Sequence, residues 1–585
     1  MCRTLPWDRD VVGGTRTRGQ NPVVFFTWKV PLELVRYATL RTRRGPVTEL
    51  SVPTPTSVRV QVDAGGPFVS AARSEISVEM TASGRGLRVA VAASRVVSCV
   101  VLRWRLPIPT DAIVLGDAWE RSYGELEWRA MRPERALPWT ALVHDCASGL
   151  TRGYGVEVRG AAFAFWQVDP QGVTLTLDVR SGGESVRPGD RAVHAATVRW
   201  TAGDSGAFAA QQELMRTLCP DPITRTGPLV GANNWYYAYG RDFGLDAVVR
   251  DARMIADLAG DHPVRPFGVI DDGWSADGTA DGRAASPGPW TQGRPVEFPD
   301  MAGAASAIRE QGVRPGVWYR PLLTRDSTVQ GARALRDGAI ALDPTSPAVL
   351  DVVEADIARL RRWGYELIKH DFSTYDLLGQ WGPQFAPSPG TGPALFDPSR
   401  TTAEALVGFY ETIRASAGDA VVLGCNVVGH LAAGQVDALR IGDDTSGIDW
   451  NRTRRVGVNA LAFRLAQHEA FFIADADCVA STPMTDWSLN RQFLDLIARS
   501  GTALFVSVDP ETRCSAVDDD LASAIRLALD GGTPGGIQPV DWFTSPTPSR
   551  WRAGGDLVEY SWTQDDGADP FEPFSSASPH PEVAS

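Results

Sequence analysis

Lysine is almost missing from this chain. Only two of its 57 basic residues are lysines, Lys29 and Lys369, and arginine supplies the rest. In a composition this biased, a retained lysine marks a place that wants a compact ammonium rather than a planar fork. Cysteine is scarce too. The seven, at positions 2, 99, 146, 219, 425, 478 and 514, are odd in number, widely scattered, and show neither zinc spacing nor a disulfide framework. Reduced thiols in a cytoplasmic chain are the expectation. Basic charge is in deficit: the formal net charge of −13 argues against nucleic acid or an anionic membrane surface as a partner. No apolar run approaches a membrane span, and the first residues lack the apolar h-region of a secretory signal. What is present, 43% hydrophobic and 22% charged residues, fits a globular protein. At 585 residues the chain exceeds one ordinary core, so two or three domains are expected.

From about Pro22 to Trp200 short β-runs alternate with Gly, Pro and Ser, which predicts a β-sandwich over residues 1–205. Nothing in this part looks catalytic. Residues 206–228 read as a connector. From Leu229 the grammar changes to strand, polar loop, helix, repeated eight times through about 535, with strands at 229–235, 266–274, 312–322, 365–372, 420–426, 437–444, 471–477 and 503–508. This predicts a (β/α)8 barrel, whose site lies at the C-terminal strand ends. An open doubly wound sheet is the competing arrangement, but no Gly-rich phosphate loop follows the first strand. Long loops at 275–300 and 376–400 carry Trp290, Trp381 and Phe385, as stacking faces or as loop anchors. A short β segment occupies 536–563, and 564–585 reads as a disordered tail.

On this layout acidic groups ring one end of the barrel: Asp271, Asp272, Asp371, Asp443, Asp444, Asp475 and Asp477. Trp235, Trp274, Trp318, Tyr319, Lys369, Asn426 and Arg440 share that position. Carboxylates and cations bond sugar hydroxyls, and indoles pack on the apolar face of a pyranose, so a carbohydrate is the expected ligand. Glycoside hydrolysis needs two carboxyl groups across the scissile bond. Residues i and i+2 of a strand share a face, so Lys369 would stand beside Asp371 and hold it ionised. The adjacent acids 443 and 444 would raise one pKa between them, supplying the proton donor. Asp-Asp-Gly is also ordinary turn chemistry, and Lys369–Asp371 could be a plain strand-end ion pair.

Three segments carry a family resemblance: FGVIDDGW (267–274), IKHDF (368–372) and RIGDDT (440–445). With them, residues 229–510 resemble the α-galactosidase clan of retaining glycosidases, especially glycoside hydrolase family 36, whose members place a β-sandwich before the barrel. The resemblance implies Asp371 as nucleophile and Asp444 as acid/base, with Asp443 the alternative. It also implies that Asp271 and Asp272 grip hydroxyls near C4 and C6 of the sugar, with Lys369 and Arg440 on the remaining hydroxyls. Trp235, Trp274, Trp318, Asn426 and Asp477 complete the expected binding set. No metal and no organic cofactor is implied. The expected partner is an α-galactoside, without nucleic acid or membrane, and a homo-oligomer is left open. Two departures bear on the substrate: Arg320 stands where the family usually carries an acid, and little chain follows the barrel.

The expected activity is thus a retaining exo-α-glycosidase releasing terminal α-linked galactose or a related sugar. A raffinose-synthase-like transglycosylase would use the same groups with an acceptor sugar in place of water. A metal-dependent barrel hydrolase fits less well, because the first strand lacks an H-x-H pair and His370 would point away from Asp371. A sugar-binding protein with decayed catalysis is the last alternative.

Overall fold

The computed structural model describes residues 47–223, 227–240, 243–276, 288–334, 340–390 and 392–563. The β-runs expected before residue 47, the middle of the 275–300 loop and the tail from 564 lie outside the described residues.

Between Thr48 and Gly203 the short strands form two antiparallel sheets. One is centred on Gly86–Ala93, Val193–Gly203 and Thr151–Val156, the other on Cys99–Arg105, Gly172–Asp178 and Phe163–Asp169. Their facing aromatics interlock. Trp104 of the second sheet meets Trp200 of the first edge-on at 5.6 Å, and Tyr154 lies 5.9 Å from Trp166. Large rings in this geometry add about 0.5–1.5 kcal/mol per pair beyond their buried area. The connector contains the helix Ala207–Leu218, which buries Phe208, Leu214 and Leu218.

Beyond it stands a sheet of nine parallel strands. The order runs Ile473–Asp475, Ala438–Arg440, Val421–Gly424, Leu367–His370, Arg314–Tyr319, Phe267–Ile270, Val230–Asn233, Leu504–Val508, Val479–Ser481. Asp475 also bridges Ala503, just ahead of Leu504, so the first and eighth strands of that order touch and the sheet is barrel-like. Several strands are only four residues long and buried throughout, as parallel strands covered on both faces must be. The strand expected at 471–477 is confined to Ile473–Asp475, and a further strand not expected from the sequence, Val479–Ser481, follows Asp477 at φ +80°.

Helices with clear signals run between the strands. Thr402–Ala417 begins with a capping box: Thr401 Oγ1 accepts from Glu404 N at 3.0 Å, and the Glu404 carboxylate accepts from Thr401 N at 2.9 Å. Trp487–Ser500 is capped by Asp486 and stopped by Gly501 at φ +73°, a conformation glycine adopts without a Cβ clash. Near the C-terminus, Ile537–Pro539, Arg550–Ala553 and Asp556–Glu559 form a three-stranded antiparallel sheet.

Candidate active site

Parallel register aligns the strand ends. Trp318 pairs with Lys369, Lys369 with Leu423, and Arg440 with Asp475, so the polar residues that follow emerge together. Around Asp371 the donors are neutral. Trp318 Nε1 donates to its Oδ2 at 3.0 Å, Asn426 Nδ2 donates to Oδ1, and Phe372 N donates to Oδ1 at 2.7 Å. Phe372 and Asn426 sit at φ +59° and +51°, and non-glycine residues held there cost about 1–3 kcal/mol each. That strain aims the Asn426 amide at Asp371. The Asn426 Oδ1 is buried and accepts no hydrogen bond.

The expected Lys369–Asp371 contact is not direct. Lys369 Nζ donates instead to Asp271 Oδ2 at 2.6 Å, and Asn233 Nδ2 donates to the same oxygen. Asp371 lies just past the end of the strand Leu367–His370, and Asp271, just past the strand Phe267–Ile270 two places along the sheet, takes the ammonium instead. Burial works against the Lys369 charge, and Asp271 more than offsets this, holding the lysine well above its ordinary value. Asp272 is buried next to it and accepts from Gly273 N at 2.7 Å.

The aromatic residues divide. Trp235 is half-buried and packs edge-on against Tyr239. Trp318 is enclosed and acts through its N–H on Asp371. Trp274 was expected to face the sugar, but it is wholly buried, with Nε1 on the Trp318 carbonyl and its ring against Trp290 and Trp363. It braces Trp318. Trp290 and Phe385 are buried loop anchors, whereas Trp381 stacks on Tyr375 at 4.4 Å and touches Phe372. Tyr319 and His370 point outward from the strand ends: Tyr319 Oη bonds Asp356, and His370 packs against Phe409 and Tyr410. Burial lowers the His370 pKa to about 4.

Asp477 was expected to bind substrate, but its contacts are internal. Its Oδ2 accepts from Thr445 N, Thr445 Oγ1 and Tyr236 Oη and is ion-paired with Arg440 Nη2 at 2.8 Å, and its Oδ1 accepts from Cys478 N. It orders the turn after Asp444 and clamps Arg440. Asp475 is pushed up to about 6 by burial, and its Oδ1 accepts from Asp477 N.

The two candidate acids differ in access. Asp443 is buried, with Arg452 Nη2 and Arg121 Nη2 each 2.7 Å from its carboxylate. The Asp444 side chain is 39% exposed and lies 2.8 Å from Arg121 Nη1 and 3.2 Å from Arg440 Nη2. Adjacency was expected to raise one of these pKa values. For Asp444 the structure gives the opposite. Its partial burial works toward a higher value, but Arg121, then Arg440, Arg452 and Lys369, overcome that and hold it well below the usual carboxylate range.

Arg121 comes from the N-terminal β-rich segment, where no site residue was expected. Ser122 pairs with Gly442: Ser122 N donates to Ile441 O at 3.0 Å, and Asp443 N donates to Ser122 O at 2.7 Å. No spacing links position 121 to 444. The available signal was slight: a charged pair, Glu120–Arg121, flanked by Trp119 and Tyr123 in a stretch that also carries Asp117, Glu125 and Glu127. Arg320, the family departure, lies buried on Asp376 through bonds of 2.9 and 2.6 Å, with its guanidinium over the Phe372 ring.

No family model matches the chain. Solved structures do. An α-galactosidase from Thermus thermophilus, in complex with p-nitrophenyl α-D-galactopyranoside, superposes with TM-score 0.55 at 17% identity, covering 88% of this chain and 99% of its own. A variant of a family 36 α-galactosidase from Geobacillus stearothermophilus, in complex with 1-deoxygalactonojirimycin, gives 0.54 at 16%, covering 84% and 76%. An α-galactosidase from Lactobacillus brevis gives 0.54 at 13%, covering 82% and 74%. The chain has the fold of the family 36 α-galactosidases. Among the described residues, no helix is long and apolar enough to cross a membrane.

Proposed function

We propose that this chain is a retaining exo-α-glycosidase acting on non-reducing terminal α-linked galactose or a closely related sugar. In this reading it comprises an N-terminal β-sandwich (1–205), a connector (206–228), a catalytic (β/α)8 barrel (229–535) and a short β segment (536–563), and works in the cytoplasm. The observation that carries the reading is the setting of Asp371. It is a carboxylate at a strand end, oriented by Trp318, Asn426 and its own strained turn, in the same constellation as the Lys369–Asp271 pair. The family 36 fold and the galactosides bound in related structures, stachyose and raffinose among them, support the sugar class.

In the mechanism, an Asp371 oxygen attacks the anomeric carbon as the glycosidic bond breaks, giving a covalent glycosyl-enzyme. Asp444, the accessible member of its pair, gives its proton to the leaving oxygen and then takes one from the attacking water. In the ligand-free site the arginines keep it ionised, which suits the second half-reaction. The first requires it to gain a proton before or during substrate binding. Asp271, Asp272, Lys369 and the Nε of Arg440, which is buried without a hydrogen-bond partner, supply hydroxyl contacts. The test is a screen of nitrophenyl α-glycosides of galactose, N-acetylgalactosamine, arabinopyranose and glucose. Turnover of the galactoside is expected, and inertness toward all four would remove the reading.

A further inference from the structure

The segment that contributes Arg121 belongs to the β-rich region, yet it is docked into the barrel mouth by the backbone pairing of Ser122 with Gly442. The Arg121 side chain is almost wholly buried and its two terminal nitrogens face different residues: Nη1 donates to Asp444 Oδ1 at 2.8 Å, and Nη2 makes an ion-pair contact of 2.7 Å with Asp443 Oδ1. A planar guanidinium suits such a bridge, whereas an ammonium has one point of charge to offer. The fork is held from behind. Its guanidinium carbon lies 5.3 Å from the Tyr123 ring and 5.5 Å from the Trp381 ring, and Nε is 3.7 Å from Glu120 Oε1. Glu120 accepts from Tyr123 Oη at 2.9 Å and from Gly382 N at 3.1 Å, so the same four-residue stretch also pins the loop that carries Trp381.

We propose that Arg121 is a positioning residue for the acid/base: by spanning Asp443 and Asp444 it fixes which carboxylate faces the leaving group and how readily that carboxylate carries a proton. The proposal rests on the retaining-glycosidase reading. It goes further by giving the N-terminal region a part in the chemistry and by ranking substrates by leaving group. The groups facing Asp444 are Arg121, Arg440, Arg452 and Lys369 as cations and Tyr236 and Tyr239 as hydroxyls, while Asp443 shares Arg121 with it. Arg121 heads the cations that depress its pKa. Substrates that leave as weak bases need little protonation, and they are the ones this resting state serves. Substrates with sugar leaving groups need the proton, and their turnover is set by Arg121.

The experiment compares the wild type with Arg121→Gln and Arg121→Lys, reading kcat/KM against pH for p-nitrophenyl α-galactoside and for raffinose. Removing a cation in contact with a carboxylate raises the carboxyl pKa by about 1–3 units. The alkaline limb for raffinose should therefore move up by about that amount in Arg121→Gln, and less in Arg121→Lys. The limb for the nitrophenyl substrate should stay in place. Equal loss on both substrates with neither limb moving would mean that Arg121 only docks the segment, and the proposal fails. A second arm needs no turnover. In protein labelled with 13C at aspartate carboxyls, the Asp444 resonance is assigned by its loss in Asp444→Asn. Its titration midpoint should rise from wild type to Arg121→Gln, and an unchanged midpoint overturns the proposal. Should the glutamine variant not fold, Arg121→Lys carries both arms. Absence of wild-type turnover on any nitrophenyl α-glycoside would sink the glycosidase reading, while the titration still decides the role of Arg121.

Discussion

Lys369→Met separates what the retained lysine does for the fold from what it does for the site. Lys369 Nζ and Asp271 Oδ2 are 2.6 Å apart, with side chains 10% and 3% exposed. Methionine keeps the stem and removes the charge, leaving Asp271 a buried anion with Asn233 as its remaining side-chain donor. Breaking one side of a buried ion pair costs about 3–5 kcal/mol. Unfolding entropy of about 2 cal/mol/K per residue gives about 1.2 kcal/mol/K for a chain this long melting as one unit, so the midpoint should fall by about 3–4 °C. Adding Asp271→Asn removes the orphaned charge and keeps an acceptor for Asn233. The double variant should regain most of the lost midpoint while remaining inactive. The assay is calorimetry alongside turnover of p-nitrophenyl α-galactoside. Equal stability of the single variant and wild type would refute the claim of a desolvated pair. Recovery of activity in the double variant would refute a role for either charge in binding sugar.

Three further outcomes are expected. Trp318→Phe keeps the ring packing and deletes a hydrogen bond to the Asp371 carboxylate, about 1.5–3 kcal/mol, so kcat/KM should fall roughly ten- to a hundredfold, whereas Trp274→Phe should cost less; equal effects in Michaelis–Menten assays would dissolve the distinction. Asp371→Gly should abolish hydrolysis, and azide should restore turnover with inverted configuration; Asp444→Ala should still react with good leaving groups and give a retained azide product, and if Asp443→Ala shows that pattern instead, the acid/base lies one residue earlier. Because the arginines depress the Asp444 pKa, its protonated fraction falls as pH rises through that low value. Hydrolysis of raffinose should therefore be fastest at acid pH and decline toward neutrality, and a plateau through neutral pH would contradict the depressed pKa.

Local signals made much of this legible. Repeated strand–loop–helix grammar pointed to the barrel-like sheet, because buried parallel strands are short and largely apolar and alternate with helices. Carboxylates at strand ends gave the candidate ring. Partner choice was not legible. Lys369 and Asp371 are two residues apart in sequence, but the short reach to Asp271 decided the pairing. Trp274 and Trp318 have the same composition signal, and only packing distinguishes the brace from the donor. Adjacent Asp443 and Asp444 suggest mutual repulsion until an arginine more than three hundred residues earlier is brought between them. Such a contact arises from how the N-terminal segment docks, which no periodicity encodes.

Asp371 as nucleophile is the assignment on which the proposed mechanism depends. The direct measurement is mass spectrometry of the protein after inactivation by a fluorinated α-galactosyl fluoride, which forms the glycosyl-enzyme but hydrolyses it slowly. The account predicts a single sugar adduct on the peptide that contains Asp371, absent from Asp371→Gly. An adduct on another carboxylate, or steady turnover of the reagent with no adduct and the inverted sugar as first product, would contradict it.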